Sequence, residues 1–423
     1  MEKITRMQLA NRRRYRAAAL SGVAVLLGLG GVQAEDGYAA KRQQVEALAE
    51  LTQAPKMQDA EGYEAQDGLK AIYFDALDYK GKKTKVFAWL GLPDEAKSQK
   101  VPGVVLVHGG GGTAFKTWVE KWNDHGYAAI SIGVEGQLDV KPKVKQKHKH
   151  WESHSWPGPH RQGIYNDSKP GVPLAEQWMY HAVADTVLAN SLLRSLSQVD
   201  EDKIGLMGIS WGGVITSTVI GIDDRFAFAI PTYGCGDLSQ SQNQYGKSLG
   251  NNEVYKQVWD PILRMSKVKI PTQWFSWPED KHFPMDKFAS NYNKVAGPHM
   301  VTLIPKMGHG HGAPWSKPDS YAFADSVVKS GKPWSKQKAI LRHDDIVTVS
   351  FQSSKPFVSA TLVSTTDTGV TGERKWIESP ASLKQVDDSY SISSKIPAGS
   401  TAWFVNAITK DGLTVSSDYQ EAK

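Results

Sequence analysis

One segment near the middle of the chain constrains the fold more than any other. A short apolar run at residues 203–207 (KIGLM) leads into GISWG at residues 208–212, and a run with helical spacing follows to residue 220. Glycines on both sides of Ser210 permit a turn sharp enough to lift its side chain out of a sheet. The segment therefore predicts a strand, a tight elbow and a helix, rather than a Gly-Ser loop of no consequence.

Strand and helix patterns alternate on both sides of this elbow. The continuous run GVVLV at residues 103–107 is typical of a strand buried on both faces of a parallel sheet, and residues 128–133 repeat it after a helical segment at 115–125. Further strands are predicted at 71–77, 85–92, 226–232, 269–277 and 300–304, and helices at 43–51, 174–196 and 318–329. The alternation predicts an α/β fold with a mostly parallel central sheet flanked by helices.

The composition changes near residue 333. Apolar and polar residues alternate at 346–351, 357–364, 389–393 and 401–408, and no helical pattern accompanies them. This pattern predicts a small all-β domain of the Ig-like sandwich type. The predicted domains are a signal peptide at 1–34, a leader at 35–69, a catalytic domain at 70–332 and a β-sandwich at 333–423.

The N-terminal residues have the pattern of a cleaved secretory signal. A basic stretch ends at Arg16, an apolar run follows at residues 17–31, and small residues precede Glu35. An uncleaved anchor is disfavoured because the apolar run is shorter than the roughly 20 residues of a spanning helix. Arginines at residues 12–14 also allow twin-arginine export. We therefore predict a periplasmic or extracellular protein without stable membrane insertion after cleavage.

Charge and cysteine content exclude several classes. The chain of 423 residues carries 50 Lys and Arg against 44 Asp and Glu, and most of the basic excess lies in the first 34 residues. The rest is nearly neutral, so no basic surface for nucleic acid is expected. A single cysteine, Cys235, excludes an intramolecular disulfide framework, and we interpret it as a buried packing thiol. The sequence does not indicate an oligomeric state.

A serine hydroxyl needs a base, and the base needs an acid that orients it. Asp280 follows the predicted strand at 269–277, and His309 follows the strand at 300–304 within MGHGHG. Both stand at strand ends, where an open α/β sheet places its site. The sequence therefore predicts a catalytic set of Ser210, Asp280 and His309.

Other residues compete for two of these roles. Glu279 and Asp286 are alternative acids, and His311 is an alternative base. We favour His309 because it has the shorter tether to the preceding strand. Only a neutral imidazole accepts the serine proton, so hydrolysis should fall below neutral pH.

The sequence HGGGG at residues 108–112 directly follows a buried strand. Its backbone N–H groups, with the amide of Trp211, are suited to stabilising an oxyanion, and Gly110 and Gly111 are the predicted donors. A phosphate-binding loop is the alternative, but no Gly-Lys-Ser/Thr sequence completes it.

A long polar excursion at residues 135–173 separates two of the predicted elements. It contains four histidines without zinc-ligand spacing, so neither a metal nor a cofactor is predicted. Its aromatic residues suggest a lid or a sugar-stacking surface. His181 and Asp185, one helical turn apart, predict a hydrogen-bonded pair. The excursion histidines are His148, His150, His154 and His160, and the predicted pocket residues are His108, His311, Trp156 and His154.

The motifs together resemble those of the serine α/β-hydrolases grouped with prolyl oligopeptidases, dienelactone hydrolases and acetylxylan esterases. The resemblance covers about residues 71–329 and includes VLVHGGGG, GISWGG, DDRFAFAIPTYGCG, WPEDKHFP and MGHGHG. It implies Ser210 as nucleophile, Asp280 as acid and His309 as base. Dienelactone hydrolases have a cysteine at the elbow, so Ser210 counts against that activity. The β-rich tail is similar to the Ig-like appendage of some secreted hydrolases.

These observations predict a secreted carboxylic-ester hydrolase that forms an acyl-enzyme and acts on a small-molecule or polysaccharide ester. An acetylxylan-type carbohydrate esterase is the favoured form. A serine peptidase of the prolyl oligopeptidase type is the alternative within enzymes, although the chain has no N-terminal propeller pattern. A glycan-binding protein on a hydrolase scaffold is an alternative of another class, and a complete Ser-His-Asp set argues against it.

Overall fold

The computed structural model describes residues 32–63, 65, 68–144, 150–166 and 171–422. The proposed signal peptide therefore lies almost wholly outside the described residues, as does His148. The helices are α1 (Val32–Glu46), α2 (Lys116–Asn123), α3 (Gly163–Asn166), α4 (Trp178–Arg194), α5 (Trp211–Val219), α6 (Gln244–Leu249), α7 (Met285–Tyr292) and α8 (Asp319–Ser330).

The strands run from the leader to the C-terminal residues. They are β1 (Met57–Asp59), β2 (Leu69–Asp75), β3 (Lys85–Gly91), β4 (Val101–Val107), β5 (Ala128–Ile132), β6 (Val199–Ile209), β7 (Phe228–Thr232), β8 (Thr272–Ser276), β9 (His299–Leu303), β10 (Ser335–His343), β11 (Ile346–Ser353), β12 (Phe357–Thr365), β13 (Ile377–Pro380), β14 (Ser382–Val386), β15 (Ser389–Lys395), β16 (Ala402–Thr409), β17 (Thr414–Ser416) and β18 (Gln420–Glu421).

The first nine strands form a sheet in the order β1-β2-β3-β5-β4-β6-β7-β8-β9. Strands β1 to β3 pair antiparallel, and β3 also pairs antiparallel with β5. From β5 to β9 every pairing is parallel. Parallel neighbours need crossover helices, and α2, α4 and α5 lie between them in the chain. The predicted α/β class with a mostly parallel central sheet is confirmed.

The centre of the sheet is buried because helices cover both of its faces. Residues 104–107 of β4 have no exposed surface, and all but two of the residues of α4 are buried. The continuous apolar run in β4, with no polar alternation, already indicated this double burial. Because β4, β6, β7, β8 and β9 run parallel, their carboxyl ends lie at one edge of the sheet, where the loops that follow them meet.

The C-terminal region is β-structured, as predicted, but it does not stand apart from the main sheet. Strand β17 pairs antiparallel with β9 at Ser416 and Val301, so the main sheet continues through β17, β16, β12 and β13. A second, four-stranded sheet has the order β10-β11-β15-β14. The sequence did not reveal this continuation because the alternating pattern of a strand does not identify its partner. The domain boundary at residue 332 stays a prediction.

The described helices include none that combines the length and apolar character needed to cross a membrane.

Candidate active site

Ser210 lies at a strained elbow between β6 and α5. Its φ of +59° and ψ of −120° are rare for a residue with a side chain, and such strain is typical of a nucleophile elbow. The chain can turn there because two neighbouring positions are glycines. An added Cβ at Gly208 would collide with the Gly212 carbonyl group, and one at Gly212 would collide with the carbonyl oxygens of Val107 and His108.

Three predicted side chains form one hydrogen-bonded chain. Ser210 Oγ lies 3.1 Å from His309 Nε2, and His309 Nδ1 lies 2.8 Å from Asp280 Oδ2. A proton on Nδ1 that is donated to the carboxylate leaves Nε2 as the acceptor for the serine hydroxyl. The structure thus brings Ser210, His309 and Asp280 together from the ends of β6, β9 and β8.

The carboxylate of Asp280 is fully buried, and both of its oxygens accept hydrogen bonds. Its Oδ1 accepts hydrogen bonds from the amides of His282 and Phe283, at 2.8 and 3.0 Å, while Oδ2 faces His309. These bonds fix the carboxylate and offset the cost of burying its charge.

The alternative residues make other contacts. Glu279 Oε2 accepts the Lys306 amide at 3.2 Å, and Asp286 pairs with Lys287 at 3.5 Å. His311 Nε2 accepts the Gly109 amide at 3.1 Å, and its ring packs against Phe115. His311 therefore supports the glycine loop, and among the described residues the serine hydroxyl is bonded to His309 instead.

The amides of the glycine loop differ in what they bind. Gly109 donates to His311, Gly112 donates to the Gly109 carbonyl at 3.0 Å, and Gly111 donates to Glu135 Oε1 at 3.0 Å. The predicted oxyanion donor Gly111 is therefore already occupied. Within the described residues, the amides of Gly110 and Trp211 have no hydrogen-bond acceptor. These two N–H groups are available for an oxyanion.

His108 is a buried support for the loop rather than a pocket-lining residue. Its Nε2 accepts the Val134 amide at 3.0 Å, so Nδ1 carries the proton that is donated to the Gly109 carbonyl at 2.7 Å. Burial lowers the pKa of His108 to about 4, although the bond to Gly109 opposes the shift. The ring is therefore neutral at physiological pH.

This buried neutral histidine predicts acid sensitivity of the fold. Below its ordinary pKa of 6.5, the unfolded chain binds a proton at His108 that the folded chain does not bind. The contribution of His108 to the free energy of unfolding is thus fully present above pH 6.5 and is lost as the pH falls toward 4. The loss amounts to about 3 kcal/mol once His108 is protonated in both the folded and the unfolded state. Urea unfolding at pH 7, 5 and 4 measures this loss.

Two variants separate this effect from general acid destabilisation. His108→Asn should unfold with a shallower pH dependence than the wild type between pH 6.5 and 4. His343→Asn, at an exposed position on β10, should keep the wild-type dependence. Equal pH slopes in all three proteins would contradict the assignment.

The excursion reaches the glycine loop through some of its residues only. Trp151 Nε1 donates to the Gly111 carbonyl at 3.1 Å, and Arg161 packs over Gly110. His154 and Trp156 instead pack against Tyr73 on β2, with ring centroids 5.5 and 5.4 Å away. The structure thus does not bring these two predicted pocket residues to Ser210.

Other predicted details also fall outside the site. His181 Nε2 bonds the Ala175 carbonyl at 2.8 Å, and Asp185 Oδ1 has no partner within the described residues, so the predicted bond between the two is wrong. Cys235 is buried, as predicted, and burial raises the pKa of its thiol. The described residues contain no group of three or more metal-ligating side chains placed to hold an ion.

Sequence reasoning missed several residues near Ser210. Tyr165 and Tyr245 flank the Trp211 ring, with centroids 5.9 and 5.6 Å away, and the guanidinium of Arg161 adjoins them. The only sequence signal for Tyr165 and Arg161 was their position in the long polar excursion, and Tyr245 had none. The wall that they form borders the site on the side of α5.

Two protein-family profiles match the sequence. The acetyl xylan esterase (AXE1) family matches residues 35–239, and the prolyl oligopeptidase family matches residues 173–326. The chain is similar to both families, and each match covers less than half of it. The first match spans Ser210 and the glycine loop, while the second spans Ser210, Asp280 and His309. The acetyl xylan esterase match supports a hydrolase that acts on ester bonds.

Solved structures show the same fold. An acetyl xylan esterase from Paenibacillus sp. R4 superposes with a TM-score of 0.52 at 20% identity, over 70% of this chain and 99% of that one. Acetyl xylan esterase 1 from Thermoanaerobacterium sp. JW/SL YS485 has a TM-score of 0.51 at 14% identity, over 67% of this chain and 94% of that one. At these identities the likeness establishes the α/β-hydrolase fold alone.

Proposed function

We propose that the chain is a secreted serine esterase that removes acyl groups from carbohydrates, with Ser210, His309 and Asp280 as its catalytic triad. The observation that carries this proposal is the continuous hydrogen-bonded chain from Ser210 Oγ through His309 to the buried Asp280 carboxylate. A strained, positive-φ serine at the start of α5 supports the nucleophile role, because this backbone presents the hydroxyl to a substrate.

The geometry suggests a two-step reaction. Ser210 Oγ attacks the ester carbonyl while His309 Nε2 takes its proton, and Asp280 holds the ring in the required tautomer. The carbonyl oxygen becomes an oxyanion that the amides of Gly110 and Trp211 are placed to bind. The imidazolium then protonates the leaving alcohol, and a water molecule activated by His309 hydrolyses the acyl-enzyme.

The carbohydrate part of the proposal depends on the family match. The acetyl xylan esterase profile covers the elbow and the glycine loop, which supports an acetylated saccharide as substrate. Export is supported by the basic and apolar pattern of residues 1–34. A polysaccharide substrate outside the cytoplasm agrees with both.

A peptidase is the second candidate because the prolyl oligopeptidase profile covers residues 173–326. Both reactions pass through the same acyl-enzyme, so the triad does not distinguish them. The leaving group distinguishes them. A peptide bond breaks only after its nitrogen is protonated, whereas an ester releases an alkoxide, which is a better leaving group than an amide anion.

Substrate panels test the two candidates with the purified protein. We expect hydrolysis of 4-nitrophenyl acetate and release of acetate from acetylated xylan, measured by pH-stat and by enzymatic acetate assay. We expect no release of 4-nitroaniline from blocked prolyl and aminoacyl anilides. Anilide hydrolysis without acetate release would overturn the esterase in favour of the peptidase.

A further inference from the structure

A cationic side chain that the proposed reaction does not use lies beside the glycine loop. Arg161 Nε donates to Glu135 Oε1 at 3.0 Å. The same carboxylate oxygen accepts the Gly111 amide, also at 3.0 Å. Only 2% of the Glu135 side chain is exposed, against 16% of the Arg161 side chain. The carboxylate is thus the inner partner, and the guanidinium is the outer one.

The guanidinium packs directly over a predicted oxyanion donor. A Cβ added to Gly110 would lie 2.8 Å from Arg161 Cζ and 3.2 Å from Nη1. Tyr165, which packs against Trp211, is close enough to feel this charge: burial raises the pKa of its hydroxyl, and the charge of Arg161 acts to lower it. Arg161 therefore adjoins both the glycine loop and the aromatic wall around Trp211.

The guanidinium has donors to spare. Glu135 takes the Nε hydrogen, and it is the only carboxylate among the described residues that forms an ion pair with Arg161. A guanidinium carries five N–H groups, and its Nη1 and Nη2 edge matches the two oxygens of a carboxylate or sulfate. Burying an Arg-Glu pair is costly, and a neutral acetyl ester gives no reason to keep one at this place.

We propose that Arg161 binds an anionic group of the substrate, a carboxylate or a sulfate, so that the ester is carried by an acidic saccharide. This inference rests on the proposed esterase function. Glu135 serves as the positioning residue, because its shared oxygen fixes the guanidinium relative to the loop that holds the oxyanion. The specificity of the site would then depend on the negative charge as well as on the acyl group.

Paired aryl acetates test this proposal. Sodium 4-acetoxybenzoate carries a carboxylate, 4-acetoxybenzenesulfonate carries a sulfonate in place of a sulfate, and 4-acetoxybenzamide is the neutral partner of similar size. We expect Arg161→Met to reduce kcat/KM for the charged esters by about tenfold to a hundredfold relative to the amide. Arg161→Lys should restore part of the preference, since it keeps the charge and loses the planar edge.

The outcomes separate the two levels of inference. If Arg161→Met lowers kcat/KM equally for charged and neutral esters, the anion site is overturned and Arg161 has a general role at the oxyanion. If Arg161→Met changes kcat/KM for neither kind of ester, the anion site is overturned as well. If the wild type hydrolyses none of these esters, the esterase proposal itself fails. Arg342→Met on the exposed edge strand β10 is the matched control and should change neither rate.

A different set of contacts links the C-terminal β region to the proposed catalytic acid. A short helical turn at Thr371–Glu373 follows β12, and Thr371 Oγ1 accepts the Met285 amide at 2.7 Å. Gly372 packs against the backbone after β8 so closely that an added Cβ would collide with the Asp280 carbonyl group and lie 2.6 Å from the Lys281 nitrogen. The turn therefore supports the loop that presents Asp280.

The turn is itself fixed by the β region. Trp376 Nε1 donates to the Thr371 carbonyl at 3.1 Å, and Arg374 Nη2 donates to both the Gly369 carbonyl and Glu421 Oε1 at 2.7 Å. We infer that the Thr371–Glu373 turn is a positioning element for Asp280. The C-terminal region then takes part in catalysis through the acid loop, independently of any glycan binding.

A double-mutant cycle tests the second inference. Gly372→Ala should displace the acid loop and lower kcat by about tenfold to a hundredfold with little change in KM. In an Asp280→Asn background the same substitution should cost almost nothing more, because the carboxylate that it misplaces is absent. Ser359→Ala, exposed on β12, is the control and should leave kcat unchanged in both backgrounds.

Circular dichroism and urea unfolding accompany these measurements, and Thr371→Val is the milder second variant. It keeps the side-chain shape and removes the acceptor of the Met285 amide. If Gly372→Ala lowers kcat by the same factor in the Asp280→Asn background, the turn contributes only to the general stability of the fold and does not position Asp280. A wild-type kcat in Gly372→Ala and Thr371→Val would also overturn the inference.

Discussion

Ser210→Ala should lower kcat for aryl acetates by a factor on the order of 10⁶, because it removes the atom that forms the acyl-enzyme. The residual rate should still exceed that in water, since the amides of Gly110 and Trp211 remain. Alanine fits the elbow without new contacts, so the stability of the variant should be close to that of the wild type. Initial rates on 4-nitrophenyl acetate, corrected for background hydrolysis, measure the loss.

The matched control is a nearby serine that is buried in the helix following Ser210. Ser217 lies in α5 and its hydroxyl has no hydrogen-bond partner among the described residues. Ser217→Ala should therefore keep the wild-type rate. Activity retained in Ser210→Ala, or lost equally in both variants, would contradict the nucleophile assignment.

His309→Gln should be nearly as damaging, with a loss of kcat of at least about 10⁴-fold, because glutamine cannot take the serine proton. Acid should also lower the wild-type rate, since an imidazolium cannot act as a base. Rates of 4-nitrophenyl acetate hydrolysis from pH 5 to 8 measure both effects.

His311→Gln provides the comparison within the same loop. Burial lowers the pKa of His311 to about 4, so it is neutral across this pH range and cannot produce the acidic limb. The variant loses the ring that accepts the Gly109 amide and packs against Phe115, and we expect a loss of about tenfold with the acidic limb unchanged. A larger loss in His311→Gln than in His309→Gln, or a rate that stays flat from pH 5 to 8, would reverse the assignment.

The sequence was sufficient to predict that Ser210, Asp280 and His309 lie together. Apolar runs of about five residues identified the strands, and a reactive residue after each of β6, β8 and β9 placed the three together at one sheet edge. The choice of Asp280 over Glu279 follows from a different kind of information. It depends on which side chain is buried under the amides of His282 and Phe283.

Contacts between distant segments could not be predicted. Glu135 and Arg161 are 26 positions apart in the chain, and Met285 and Thr371 are 86 positions apart. Neither pair has a periodic pattern, because a loop is positioned by the elements that surround it and not by its own spacing. The same reason explains why Gly111 was predicted as an oxyanion donor. Its amide donates to Glu135, a residue whose place at the loop no local motif indicates.

The most direct test of the central proposal is covalent labelling of the wild-type protein with a fluorophosphonate, followed by peptide mass spectrometry. We expect one adduct per chain, located on Ser210, with loss of esterase activity in proportion to labelling. The rate of labelling should fall strongly in His309→Gln, because the reagent needs the activated hydroxyl. An active protein that resists the reagent, or that carries the adduct on any other residue, would contradict Ser210 as the nucleophile.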